Sequence, residues 1–284
     1  MSPHQLFTPI MYSIVKRIIA FYTLLLTLLC FTHSLNAQQK GKWKSMFNGR
    51  NLNGWSVKIS GHELNDNFGN TFRVEDHKMI VSYDAYDEFN NRFGHIFYKT
   101  PYSHYLMAVE YRFVGQQSKG GPQWAYRNSG IMIHCLPPST MLKDQDFPIS
   151  IEVQLLGGDS TGERSTCNLC TPGTNVEMDG KLFTPHCLNS SSKTFRGDQW
   201  VRAEVLVLGD SIVKHIVNGD TVLVYNKPQI GGGNVDNYDS AVKKDGQPLS
   251  SGYISLQSES HPVEFRKIEI MNMEKYYTKP RNKK

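Results

Sequence analysis

From Gln38 onward no stretch of the chain holds a helical period for long. Short runs rich in Val, Ile, Tyr and Phe recur instead, broken by clusters of Gly, Asn, Asp and Pro. That pattern restricts the chain to an all-β sandwich or barrel. It predicts strands over residues 95–98, 105–114, 129–134, 149–156, 200–208, 211–217, 221–225, 252–257 and 263–271. Asn218-Gly219-Asp220 supplies a tight hairpin turn, because glycine takes positive φ at little cost.

Successive side chains of a strand leave opposite faces. Ile149, Ile151, Val153 and Leu155 therefore share one face, and Glu152 and Gln154 the other. Ser129, Ile131, Ile133 and Cys135 oppose Asn128, Gly130, Met132 and His134. Val201, Ala203, Val205 and Val207 oppose Trp200, Arg202 and Glu204, while Ile254 and Leu256 oppose Tyr253, Ser255 and Gln257. The apolar sets belong inside. The polar sets either meet solvent, as one face of an antiparallel sheet commonly does, or hold a polar ligand.

The N-terminus reads as a leader. Lys16-Arg17 precede an uncharged apolar run, residues 18–31, and Leu35-Asn36-Ala37 offers a small-residue cleavage site before Gln38. The run is short of the about 20 residues that span a bilayer, so residues 1–37 are expected to be a cleaved signal peptide and no stable membrane span is expected to remain. The protein is then periplasmic or secreted, with residues 38–274 as a single domain. The formal charge of +5 does not imply a nucleic-acid partner. Lys16 and Arg17 leave with the leader, and Lys275, Lys279, Arg281, Lys283 and Lys284 crowd a basic tail over residues 275–284 that is expected to be frayed. The body between is close to neutral and offers no basic stripe for phosphates.

Four segments resemble a known family when taken together and in order. Residues 46–55 read MFNGRNLNGW, close to the opening signature LFNGKDLDGW of the 3-keto-disaccharide hydrolase family, formerly a domain of unknown function. Asn128-Ser129-Gly130-Ile131 resembles its NSGI strand, and Glu152-Val153-Gln154 its EVQ strand. Gly252-Tyr253-Ile254-Ser255-Leu256-Gln257 and Val263-Glu264-Phe265-Arg266 resemble its closing pair. Tyr253 stands where the family commonly has Pro and Lys267 where it has Asn. Ser258-Glu259-Ser260-His261-Pro262 replaces a shorter DHG turn, with His261 matching its His. The resemblance implies a concanavalin A-like jelly-roll β-sandwich and an enzyme acting on oligosaccharides or glycosides already oxidised at C3.

A ketone at C3 acidifies the C2 proton. A base can then remove it and expel the C1 substituent, after which water adds back. This chemistry needs a base, an acid for the departing oxygen and a stabiliser for the enolate. Glu152, on the polar face of the EVQ-like strand, is the first candidate for acid/base work, and His134 is the second. Asn128, Gln154, Gln257 and Glu264 are candidates for sugar hydroxyls. Arg112, Arg127 and Arg266 are candidates to polarise the ketone or clamp hydroxyls, although each can equally pair with a carboxylate. Trp124, in the loop 120–124, and Trp200 are candidates to stack on a sugar ring, with the core as the alternative place for either. Two other functions fit the same fold: a lectin-like glycan-binding module, and a conventional hydrolase using Glu152 with Glu264.

No cofactor is certain from the sequence. A divalent metal at the C3 ketone would suit the reaction, yet no ligand cluster stands out beyond the cysteine-rich segment. There, Cys167, Cys170, His186 and Cys187 imitate a zinc pattern. Export favours a disulfide, and a Cys170–Cys187 bridge would close the long loop 167–192 with a gain on the order of 3 kcal/mol. Cys135 reads as an inward thiol, and Cys167 has no assigned partner.

Overall fold

The computed structural model describes residues 41–277. The signal-peptide expectation lies outside that range, as do residues 278–284 of the basic tail. Among the described residues no helix is long and apolar enough to cross a membrane.

Two antiparallel sheets make up the fold. The smaller has seven strands: β2 (Trp55–Ile59), β5 (Gly94–Tyr98), β7 (Asn128–Cys135), β8 (Ile151–Leu156), β9 (Asn168–Cys170), β12 (Cys187–Leu188) and β16 (Tyr253–Ser258). Their order across the sheet is β12-β9-β8-β7-β16-β5-β2. The larger sheet has ten strands. Its long members are β6 (His104–Phe113), β13 (Val201–Leu208), β14 (Ile212–Val217), β15 (Asp220–Ile230) and β17 (Val263–Asn272). The short members are β1 (Lys44–Ser45), β3 (Phe72–Glu75), β4 (Lys78–Val81), β10 (Thr174–Met178) and β11 (Lys181–Phe183). The chain passes repeatedly between the sheets, so sequence neighbours such as β16 and β17 lie in different layers. This is a jelly-roll sandwich.

The alternation read from sequence generates the core. Ile131, Ile133, Ile151, Val153, Leu155, Ile254 and Leu256 of the smaller sheet are fully buried in one cluster with Val201, Ala203, Val205 and Val207 of the larger. Removing such faces from water is the main driving force for joining the layers. His215 is one of the polar residues buried in this layer. Its ring nitrogens meet the Cys167 carbonyl oxygen and the Tyr225 hydroxyl, each at 2.9 Å, and burial pushes its pKa down to about 4.

Two expectations need correction here. Alternation along β7 breaks at His134, which takes φ +52° beside an irregularity in the β16–β7 pairing. A bulge of this kind reverses the faces that follow it. Cys135 therefore packs with Met132 and Phe97 instead of sharing the inward side with Ile133. Gly252 makes room for the bulge, since a Cβ there would stand 2.4 Å from the His134 carbonyl carbon. The second correction concerns the segment 167–192, which is no simple loop: it contributes β9 and β12 to one sheet and β10 and β11 to the other. In the tail, residues 275–277 belong to a single helical turn (Glu274–Tyr277), and Tyr277 stacks on His104 with ring centroids 5.6 Å apart.

Candidate active site

The outer face of the smaller sheet carries a row of polar side chains. Lys58 opposes His95, His95 opposes Gln257, Gly130 opposes Gln154, and Gln154 opposes Asn168. The Leu256–Ile131 register carries Gln257 on to Gly130. One row over, Met132, Glu152, Cys170 and Cys187 stand in line across β7, β8, β9 and β12. Gly130 is the bare point between Glu152 and Gln257. A Cβ on it would lie 2.7 Å from Glu152 Oε1 and 3.0 Å from Gln257 Oε1.

Above this floor lies a cavity of about 440 Å³. Glu152, Glu259, Asn128 and Gln154 form its polar base, with Trp124 and Phe147 on one rim. Trp124 is 54% exposed and stacks on Phe93 at 5.7 Å. Beside Phe147, Asp146 Oδ1 accepts the backbone N–H groups of Phe147 at 2.7 Å and Asp236 at 2.8 Å, joining two rim loops. Burial raises the Asp146 pKa, and these hydrogen bonds oppose the rise.

Glu152 and Glu259 are both buried. Burial raises both pKa values, the charge of Glu152 raises Glu259 further, and Arg164 opposes that second rise. Two buried carboxyls that repel one another retain a proton at pH values where an exposed pair would have none. The surrounding groups are equally unsatisfied within the protein. Both ring nitrogens of His95, both amide atoms of Gln257, Asn128 Oδ1, Glu152 Oε1 and Glu259 Oε2 have no hydrogen-bond partner among the described residues. Each such group costs about 1–3 kcal/mol unless water or a ligand meets it. Their concentration along one face marks a surface built to be completed by a polar molecule.

Other sequence candidates lie elsewhere. The bulge turns His134 toward the backbone of Gly209 and Ser251, off the cavity, and burial pushes its pKa down to about 4. Arg112, Trp200, Glu264 and Arg266 belong to the outer face of the larger sheet. There Glu264 accepts from Arg112 at 2.6 Å and Lys78 at 2.7 Å, and Glu110 accepts from Arg266 and Lys267 at 2.7 Å. Trp200 is held between Arg112 and Arg266, whose guanidinium carbons sit 4.7 and 4.0 Å from its ring centre. Burial works against ionising Glu264, yet its two cationic partners hold its pKa below the ordinary carboxyl value. The structure thus removes these residues, and His134, from the cavity lining. Arg127 adjoins the site at the start of β7 without lining the cavity; its guanidinium lies 5.7 Å from the Tyr126 ring centre.

Glu259 was missed as a site residue, although it stands two positions beyond Gln257 and so on the same face by period. Asp146, Asp236 and His186, which also line the cavity, come from loops that carry no period. Among the described residues one group of His, Cys, Asp or Glu donors converges, Cys170, His186 and Cys187. Cys170 and Cys187 are joined by a disulfide, which leaves His186 as the one free donor of the three, too few to hold a metal.

Residues 42–271 match the family model of the 3-keto-alpha-glucoside-1,2-lyase-like domain. The chain belongs to this family. Among solved structures it is similar to two candidate glycosyl hydrolases from Parabacteroides distasonis. One is 16% identical over 82% of this chain and 100% of its own, with a TM-score of 0.48. The other is 17% identical over 84% and 98%, also at 0.48. A Bacillus subtilis protein of unknown function with a galectin-like fold is 10% identical over 78% and 90%, at 0.45. No curated protein matches. Membership places the chain among carbohydrate-active hydrolases and lyases. The motifs by which it resembles the lyase-like domain map unevenly onto the molecule: the NSGI- and EVQ-like strands supply Asn128, Glu152 and Gln154 to the cavity floor, Gln257 stands beside them across Gly130 without lining the cavity, and the opening signature supplies core. In that signature, Trp55 is buried and donates its indole N–H to the Met46 carbonyl oxygen at 3.1 Å.

Proposed function

We propose that the cavity binds a glycoside carrying a ketone at C3 and cleaves it by elimination followed by hydration. The buried Glu152–Glu259 pair carries this reading, because one shared proton makes one member a base and the other an acid. Glu152, as carboxylate, takes the C2 proton, and the electron pair enters the C3 carbonyl as an enolate. When that pair returns, the C1–O bond breaks and Glu259 gives its proton to the departing oxygen. Water then adds across C1 and C2: Glu259 takes a proton from the water as its oxygen joins C1, and Glu152 returns its proton to C2. The amides of Asn128 and Gln257 supply hydrogen bonds to sugar or enolate oxygens.

The test is incubation with 3-keto-trehalose and detection of released glucose. Glu152→Gln should lower turnover about 10²–10⁴-fold while retaining binding. Preferential cleavage of unoxidised glycosides would instead assign the two carboxyls to conventional hydrolysis. Binding of both sugar classes with turnover of neither would make the protein a lectin-like module. The leader supports an exported enzyme, and the Cys170–Cys187 bridge suits an oxidising compartment. N-terminal sequencing of the exported protein should begin at Gln38; retention of residues 1–37 would reject that part.

A further inference from the structure

Trp124 lines a second depression, of about 640 Å³, whose wall shares no other residue with the carboxylate cavity. Gln117, Gln123, Tyr126, Asp159 and Arg164 complete it. Both volumes fall within the roughly 300–1,000 Å³ usual for small-molecule sites. Aromatic faces with amide, carboxylate and guanidinium groups around them suit a sugar, whose C–H face packs on a ring while its hydroxyls find donors and acceptors.

The wall is preformed. Arg164 donates to the carbonyl oxygens of Trp124 and Gly157, both at 2.9 Å, and to that of Tyr126. Asp159 is oriented by the Thr161 N–H at 2.8 Å. Gln117 of the same wall donates to the hydroxyl of Ser260 at 2.9 Å, the residue next to Glu259, so the second depression borders the acid of the first.

We propose that this depression is a leaving-group subsite: it takes the second sugar of a disaccharide while the oxidised sugar occupies the Glu152–Glu259 cavity. The inference rests on the reading of that cavity given above. The glycosidic oxygen then passes the edge of Trp124, beside Glu259.

Calorimetry in the Glu152→Gln background separates the two ideas. The probes are 3-keto-trehalose and methyl 3-keto-α-glucoside, which differ by the second sugar. The disaccharide should bind about tenfold more tightly, the worth of one or two hydrogen bonds. Gln123→Ala and Asp159→Ala, measured separately so that misfolding of one leaves the other informative, should each reduce that ratio severalfold. A ratio near one in the parent overturns the subsite, as does absence of binding or a ratio that survives both substitutions. A wild-type protein that keeps the ratio but cleaves neither probe defeats the reaction and leaves the subsite standing. Cleavage of both probes with equal kcat/KM defeats the subsite and leaves the reaction.

Discussion

A methyl group on Gly130 would meet Glu152 Oε1 at 2.7 Å, closer than a side-chain carbon tolerates. Gly130 is not among the positive-φ glycines, so alanine meets no backbone strain there. Gly130→Ala should therefore destabilise by packing alone, about 1–3 kcal/mol in thermal unfolding, while displacing the carboxylate and lowering turnover about 100-fold, read by steady-state kinetics. Glu152→Gln reports on charge instead of position. Its folded pKa lies above the ordinary value of 4.5, so the folded state holds the proton more firmly than the unfolded chain does. Stability is then lost as pH rises from about 4.5 through the folded pKa. Replacing Glu152 with the uncharged amide should raise the unfolding midpoint at pH 8 and leave it unchanged at pH 4; equal shifts at both pH values would contradict a buried ionisable carboxyl. Asn128, Gly130, Glu152, Gln154 and Gln257 were legible in the sequence because period two alone assigns their face. His134 was not, since one positive-φ residue reverses that period. Arg112, Trp200, Glu264 and Arg266 show a further limit: alternation says that side chains face outward but not from which sheet.

At the scale of elements, β9 and β12 are short, and their pairing places Cys170 beside Glu152. The disulfide between them pins the edge of the sheet that forms one cavity wall. Its removal by Cys187→Ser should destabilise the protein by about 2–5 kcal/mol in urea unfolding and weaken binding of the 3-keto sugar. Arg164 does comparable work on the opposite side by gathering carbonyl oxygens from the Trp124 turn. Lysine cannot reproduce the planar fork, so Arg164→Lys should raise KM for a disaccharide severalfold and lower stability in urea unfolding, by about 1–3 kcal/mol for the carbonyl oxygens left without a donor. Strands β13, β14 and β17 were legible because long apolar alternation announces them. Strands β9 to β12 were not: their residues are few and mixed, and tertiary pairing forms them instead of intrinsic preference.

Across the whole molecule, the buried imidazoles make acid damaging. His95, His134 and His215 are fully buried, and burial pushes their pKa values down to about 3, about 4 and about 4. The unfolded chain binds protons near pH 6.5 where the folded one does not, so stability falls as pH drops from 6.5 toward 4, by an amount on the order of several kcal/mol. Glu152 and Glu259, whose folded pKa values are raised, gain stability over the same interval and oppose this fall. Urea midpoints in the Glu152→Gln background should therefore decline more steeply from pH 6.5 to 4 than in the parent, and equal slopes would contradict the opposition. The sandwich was legible as a class because both sheets share one apolar period. The assignment of strands to layers was not, since it depends on which connections cross between sheets. The two outer faces differ accordingly, one closed by ion pairs around Trp200 and the other open beneath Trp124. Four indoles are thereby distributed unequally: Trp55 is buried, Trp43 and Trp200 lie against arginines, and Trp124 stands over the cavity. Intrinsic fluorescence should accordingly contain a solvent-relaxed, red-shifted component from Trp124 that responds to sugar, alongside emission from the other three that serves as an internal standard.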